Sequence, residues 1–83
     1  MSYEIEFGSI LQELRLEKNL SQSELAKLSQ IDRTFISLLE RGIRQPSLTT
    51  IFHLASAFKI QPSEFISKVE NRVRRSRWKR LNK

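Results

Sequence analysis

The sequence predicts an all-α fold, a compact bundle of about five helices, on three observations. Apolar residues recur at spacings of three and four along most of the chain. No stretch of strict alternation is long enough for a strand, and residues that start or stop helices separate the periodic segments. With 83 residues the chain can bury one modest core, so one small domain is expected and no separate catalytic domain.

The elements follow in order. Ile10, Leu11 and Leu14 form the inner face of a first helix that runs to about Lys18, where Asn19 interrupts it. Ser21 and Glu24 have the spacing of a capping box, in which the serine hydroxyl accepts the third backbone N–H and the glutamate reaches back to the cap. A second helix therefore starts at Gln22 and presents Leu25, Ala26 and Leu28 before Asp32 offers a new N-cap. The third helix is expected over Arg33–Arg41, with Gly42 as its left-handed C-terminal cap. Ser47 caps a fourth helix whose inward stripe is Leu48, Ile51, Leu54, Ala55 and Phe58. Pro62 suits the first turn of a fifth helix carrying Phe65, Ile66, Val69 and Val73.

Composition removes several function classes. Without cysteine there is neither a disulfide framework nor a thiolate metal site. His53 is the single histidine, which removes paired-histidine metal sites and argues against a catalytic triad. No metal, cofactor or enzyme site is expected. The N-terminal MSYEIEFG is acidic and lacks an apolar signal core, and no segment approaches the roughly 20 apolar residues of a membrane span. A cytoplasmic protein is the expectation.

Charge divides unevenly. Residues 1–70 hold eight Lys or Arg against all nine Asp and Glu, whereas residues 71–83 hold seven basic residues and no acid. The whole excess behind the net charge of +6 therefore sits in the last thirteen residues. A near-neutral domain (1–70) with a basic tail (71–83) implies a polyanionic partner.

The third helix shows two faces when drawn at about 100° per residue. Ile36 and Leu39 mark the buried side, and Phe35 lies on its border. Arg33, Thr34, Ser37, Leu38 and Arg41 form a continuous opposite face. An arginine, two hydroxyls and a leucine together suit the major groove, where arginine bonds guanine O6 and N7 and apolar groups meet the thymine methyl. The plain alternative is a solvated face with one stray leucine.

The surrounding pattern decides between the two. From Leu11 to Phe65 the order L-R, then S-Q-x-E-L-A, then a helix ending E-x-G, then P-S-L and A-x-A-F resembles the Cro and phage-repressor (XRE-type) helix-turn-helix family. Within it, IDRTFIS is most similar to the small controller proteins of restriction–modification systems. The resemblance implies a λ-repressor-like DNA-binding domain and assigns roles. Gln22 would bind a backbone phosphate at the start of the second helix. Arg33, Thr34, Phe35, Ser37 and Leu38 would lie in or beside the major groove, with Arg41 on the same face. Arg44, Gln45 and Ser47 would reach the sugar–phosphate backbone, and Arg15 and Glu40 match a structural ion pair of the family. One departure stands out. The family usually has glycine in the turn where this chain has Gln30, and a left-handed residue there would cost roughly 1 kcal/mol.

The reading is thus a transcriptional regulator that binds double-stranded operator DNA in the nucleoid as a homodimer. An antitoxin-like module with a protein partner is the alternative, or a nonspecific binder of nucleic acid or an anionic membrane surface driven by the tail, with Trp78 stacking on bases or lying at the interface. Phe52, Phe65, Ile66 and Val69 offer more apolar surface than one small domain needs, and are expected at the dimer interface. His53 is expected on the solvent side of the fourth helix. Arg77 and Arg80 fall on the stripe set by Ile66, Val69 and Val73, so packing is expected to stop near Val73 and the rest to be mobile until it meets phosphates.

Overall fold

Five helices follow one another as α1 (Tyr3–Glu17), α2 (Gln22–Ser29), α3 (Arg33–Glu40), α4 (Leu48–Phe58) and α5 (Pro62–Leu81). The computed structural model describes residues 2–81, with side chains through Ser76. No strand occurs among the described residues.

Four of the five starts are capped by a short polar side chain. Ser2 Oγ accepts the Ile5 N–H, Ser21 and Glu24 complete the expected capping box, Asp32 accepts from Thr34 and Phe35, and Ser47 accepts from Thr50. Each cap satisfies an amide that the first helical turn leaves without a partner. The ends are equally defined. Arg41 caps α3 and Gly42 turns left-handed at φ 73°, while Asn19, Gln30 and Lys59 adopt the same region at φ 57°, 61° and 59°. Gln30 therefore keeps the left-handed turn that the family usually gives to glycine.

The core gathers Phe7, Ile10, Leu11 and Leu14 of α1, Leu25 of α2, Ile36 and Leu39 of α3, Leu54, Ala55 and Phe58 of α4 and Phe65 of α5. α1 lies between α3 on one side and α5 on the other. Its approach to α3 requires Gly8, because any Cβ there would overlap the carbonyl oxygens of Leu39 and Glu40. Phe65 stacks on Phe7 with ring centroids 5.0 Å apart, and Phe58 closes on the same ring at 6.2 Å.

Several expected faces are corrected. Leu28 and Leu48, inward by periodicity, are 58% and 72% exposed. Ser29 is buried in α2 instead of Leu28, and its hydroxyl donates to Leu25 O at 2.7 Å, which removes the cost of burying it. The largest correction concerns α5. Phe65 is fully buried and belongs to the core, not to an interface between copies, while Ile66 is exposed. With Ile66 at 0°, the side facing α1 is formed by Phe65, Val69, Arg72 and Ser76, at about 260°, 300°, 240° and 280°. The observed stripe is rotated from the expected one by most of a quarter-turn.

That rotation also explains why packing does not stop at Val73. Arg72 Nη1 donates to Ser9 Oγ at 3.0 Å and Arg72 Nη2 reaches the Glu13 carboxylate at 2.9 Å, while Ser76 donates to Glu6 at 2.9 Å. An apolar seam thus passes into a polar one along the same two helices. The helix runs unbroken across the boundary expected at residue 70 and continues to Leu81. The side chain of Trp78 lies outside the described residues. No described helix is long and apolar enough to cross a membrane.

Candidate nucleic-acid interface

The α2–turn–α3 unit is organised by short-range bonds. Ser29 Oγ, besides donating to Leu25 O, accepts the Ile31 N–H at 3.3 Å, so one hydroxyl bridges the end of α2 and the turn. His53, on the exposed side of α4, has Nδ1 3.2 Å from Ser29 O, a second tie at that turn. Asp32 then launches α3 through two backbone N–H bonds to one carboxylate oxygen.

α3 buries Ile36 and Leu39 completely and half-buries Phe35, which packs on the core. Arg33, Thr34 and Arg41 are exposed, and Ser37 and Leu38 are half-buried beside them. Leu38 is therefore less exposed than the helical wheel implied. Among the described residues Arg33, Arg41 and Arg44 form no ion pair, so three guanidinium groups on and just after α3 keep all their donors available.

A charged network ties this unit to α1. Arg15 Nε donates to Glu40 Oε2 at 2.6 Å, Nη2 to Glu40 Oε1 at 3.2 Å and Nη1 to Leu20 O at 2.8 Å. The two side chains are only 11% and 3% exposed. A bidentate pair with a third guanidinium donor bonded to a carbonyl is the geometry in which a buried ion pair is tolerated. Gln22 Nε2 donates to Glu40 Oε1 at 3.1 Å, a contact that sequence reading missed. One amide hydrogen is so engaged, and the second remains at the N-terminus of α2. Glu40 thereby orients the first side chain of α2 from the last residue of α3.

The α3–α4 loop brings Arg44, Gln45 and Ser47 together, all exposed. Ser47 Oγ is committed to capping α4 and lies 2.9 Å from Thr50 Oγ1. Gln45 Nε2 donates to Glu4 Oε1 at 2.8 Å, a contact with the first turn of α1 that no local sequence signal announces. Two carboxyls in this region are held below the usual carboxylate range. For Glu4 the causes are the Ser2 hydroxyl, its own backbone N–H and the Gln45 amide. For Glu24 they are the Ser21 backbone N–H, the Ser21 hydroxyl and the charge of Lys27. No group of three His, Cys, Asp or Glu among the described residues is placed to hold a metal.

A family profile described as helix-turn-helix matches residues 11–65. The control protein C.BamHI of Bacillus amyloliquefaciens is 39% identical over 61 residues, 72% of this chain and 75% of its own length. The control protein C.MunI of Mycoplasma sp is 39% identical over 67 residues, 80% of this chain and 90% of its own. Among solved structures, the restriction–modification controller protein C.AhdI from Aeromonas hydrophila is 47% identical and superposes with a TM-score of 0.72 over 75% of this chain and 94% of that one.

Proposed function

This chain belongs to the helix-turn-helix family of DNA-binding transcriptional regulators, and from that premise we propose that it binds an operator as a homodimer with α3 in the major groove. The reading rests above all on the outward face of α3. Exposed Arg33 and Thr34 stand at the start of the helix, with Ser37 and Leu38 one turn on, and no described residue pairs with Arg33. Arg33 bonds a guanine edge, and Thr34 and Leu38 supply hydroxyl and apolar contacts. Gln22 at the α2 N-terminus and Arg44, Gln45 and Ser47 in the next loop fix the domain on the phosphates. Given the controllers to which it is similar, the regulated genes are those of a restriction–modification system.

The dimer follows from apolar side chains that the single chain leaves in water. Phe52 and Ile66 are 53% and 44% exposed, and Leu48 adds to them on α4. Val69 is half-buried and contributes only an edge, and Phe65 contributes nothing. Pairing across this surface sets two copies of α3 about 34 Å apart, the spacing of successive major grooves.

Arg33→Ala tests the groove placement directly. Against a duplex selected from random DNA by the wild-type protein, it is expected to cost roughly 1 to 3 kcal/mol and to relax the preference at one guanine per half-site. Unchanged affinity and unchanged preference would show that α3 does not read bases. Binding that ignores sequence in the wild type would point instead to the basic segment as the sole determinant.

A further inference from the structure

The loop placed at the DNA backbone carries an acidic neighbour. Glu4 accepts Gln45 Nε2 at 2.8 Å through one oxygen and the Ser2 hydroxyl at 2.5 Å through the other. This meeting is fixed by packing. Gly42 sits so close to Ile5 that a Cβ would fall 2.8 Å from Ile5 Cγ1, and Tyr3, Glu4 and Phe7 face Gln45 and Pro46 across a shallow depression. The first turn of α1 is thereby pressed onto the α3–α4 loop. The bonds that Glu4 accepts favour its ionised form, and among the described residues no Lys or Arg forms an ion pair with it.

We infer that Glu4 is an electrostatic restraint on duplex binding: it competes with phosphate for the Gln45 amide and sets a negative charge beside the sugar–phosphate backbone that the loop approaches. The inference rests on the proposed placement of Arg44, Gln45 and Ser47 at that backbone. Its consequence is a uniform one. Phosphate contacts position the protein and carry no base information, so Glu4 weakens operator and random DNA by the same factor. It lowers the time spent on the many nonspecific sites without altering which base pairs are read.

The test uses the full-length protein, the duplex selected from random DNA by the wild type, and a shuffled duplex of equal length. Glu4→Gln removes the charge and keeps an acceptor, and Glu4→Ala removes both. At low salt each variant is expected to bind both duplexes about threefold more tightly per half-site, the size of repulsion between unit charges roughly 7 Å apart in water. The gain should fade as salt is raised, and the ratio of the two affinities should not move. In the free protein, Glu4→Ala should also shift the Gln45 side-chain amide signals in NMR spectra. Affinities equal to or weaker than wild type in a normally folded Glu4→Gln protein overturn the restraint, as does a gain confined to the selected duplex. Arg33→Ala measured on the same duplexes separates this from failure of the groove reading, which would leave that variant's base preference intact.

Discussion

The α2–α3 unit and helix α5 are held in place in opposite ways. In the first, most decisions are local. Ser21 and Glu24 start α2, Ser29 closes it, Asp32 starts α3 and Gly42 ends it, each through partners within a few residues. In α5, by contrast, position is set mainly by residues of α1 far away in the chain, Phe7 against Phe65 and then Ser9, Glu13 and Glu6 against Arg72 and Ser76, with Phe58 of the neighbouring α4 closing on Phe65. A unit fixed by local bonds can present one constant face to a partner. A helix fixed by distant contacts owes its orientation to the core it meets.

The sharpest way to break this contrast is at the aromatic stack. Phe65→Ala removes a fully buried ring from between Phe7 and Phe58 and is expected to cost about 3 to 5 kcal/mol in denaturant unfolding. Phe52→Ala, at a ring 53% exposed, should cost about 1 kcal/mol or less within one chain. Phe52→Glu or Ile66→Glu should instead abolish self-association in sedimentation experiments while leaving the helices folded. A similar cost for Phe52 and Phe65 would mean that the two rings are not divided between core and surface as described.

Next in size is the network linking the two regions through α1. Glu40→Ala leaves the Arg15 guanidinium, 11% exposed, without its carboxylate and is expected to cost about 3 kcal/mol, much of it the unpaired charge. It also frees Gln22, so DNA affinity measured under conditions where the variant is folded should fall as well. Replacing both partners, Arg15→Met with Glu40→Leu, should restore much of the stability but not the DNA affinity, because only the wild-type carboxylate orients Gln22.

How much is legible in the sequence follows from the same contrast. The element order, the capping box, the Asp32 cap, the left-handed Gly42 and the outward face of α3 are readable because each depends on residues close in sequence, whereas the left-handed Gln30 is raised only by the resemblance. The face of α5 is not. Phe65, Ile66 and Val69 are all apolar, and periodicity alone cannot say which of two adjacent residues meets a ring contributed by Phe7, nearly sixty positions away. Arg77 and Arg80 on the expected stripe suggest an end of packing near Val73, whereas the true seam runs through Arg72 and Ser76, whose acidic partners on α1 are too distant in sequence to be seen. Gln45 with Glu4 is invisible for the same reason.

The basic end of α5 offers a smaller effect on a different axis. Deleting Arg77–Lys83 spares Arg72 and Ser76 and removes four basic residues. If they neutralise phosphates, the slope of log K against log salt should flatten by about 0.9 for each phosphate left without its cation, doubled in a dimer, while base preference survives. An unchanged slope would assign that charge to another partner.

The smallest expected effect lies inside the local unit and tests whether its caps are electrostatic as well as geometric. Glu24 is held below the usual carboxylate range, chiefly by the Ser21 backbone N–H and next by the Ser21 hydroxyl. A carboxyl whose folded pKa is lowered binds protons more readily in the unfolded chain. Its contribution is therefore complete above the unfolded pKa and is lost as pH falls through the folded one. Between neutral pH and about pH 3, wild type should lose melting temperature that Glu24→Gln does not, since glutamine can still reach the Ser21 N–H but has no charge to titrate. Glu24 is exposed, so the difference will be small and salt-sensitive. The local comparison is cleaner. The protection of the Leu25 amide against hydrogen exchange, taken relative to the unstructured rate at each pH, should fall on acidification in wild type and stay level in Glu24→Gln, since that amide bonds Ser21 O in the first turn of α2. The Phe65 amide, which bonds Gln61 O at the start of α5 without a capping carboxylate, serves as the reference. An equal loss of protection at both amides would mean that acid loosens the whole fold and that the α2 cap owes nothing to charge.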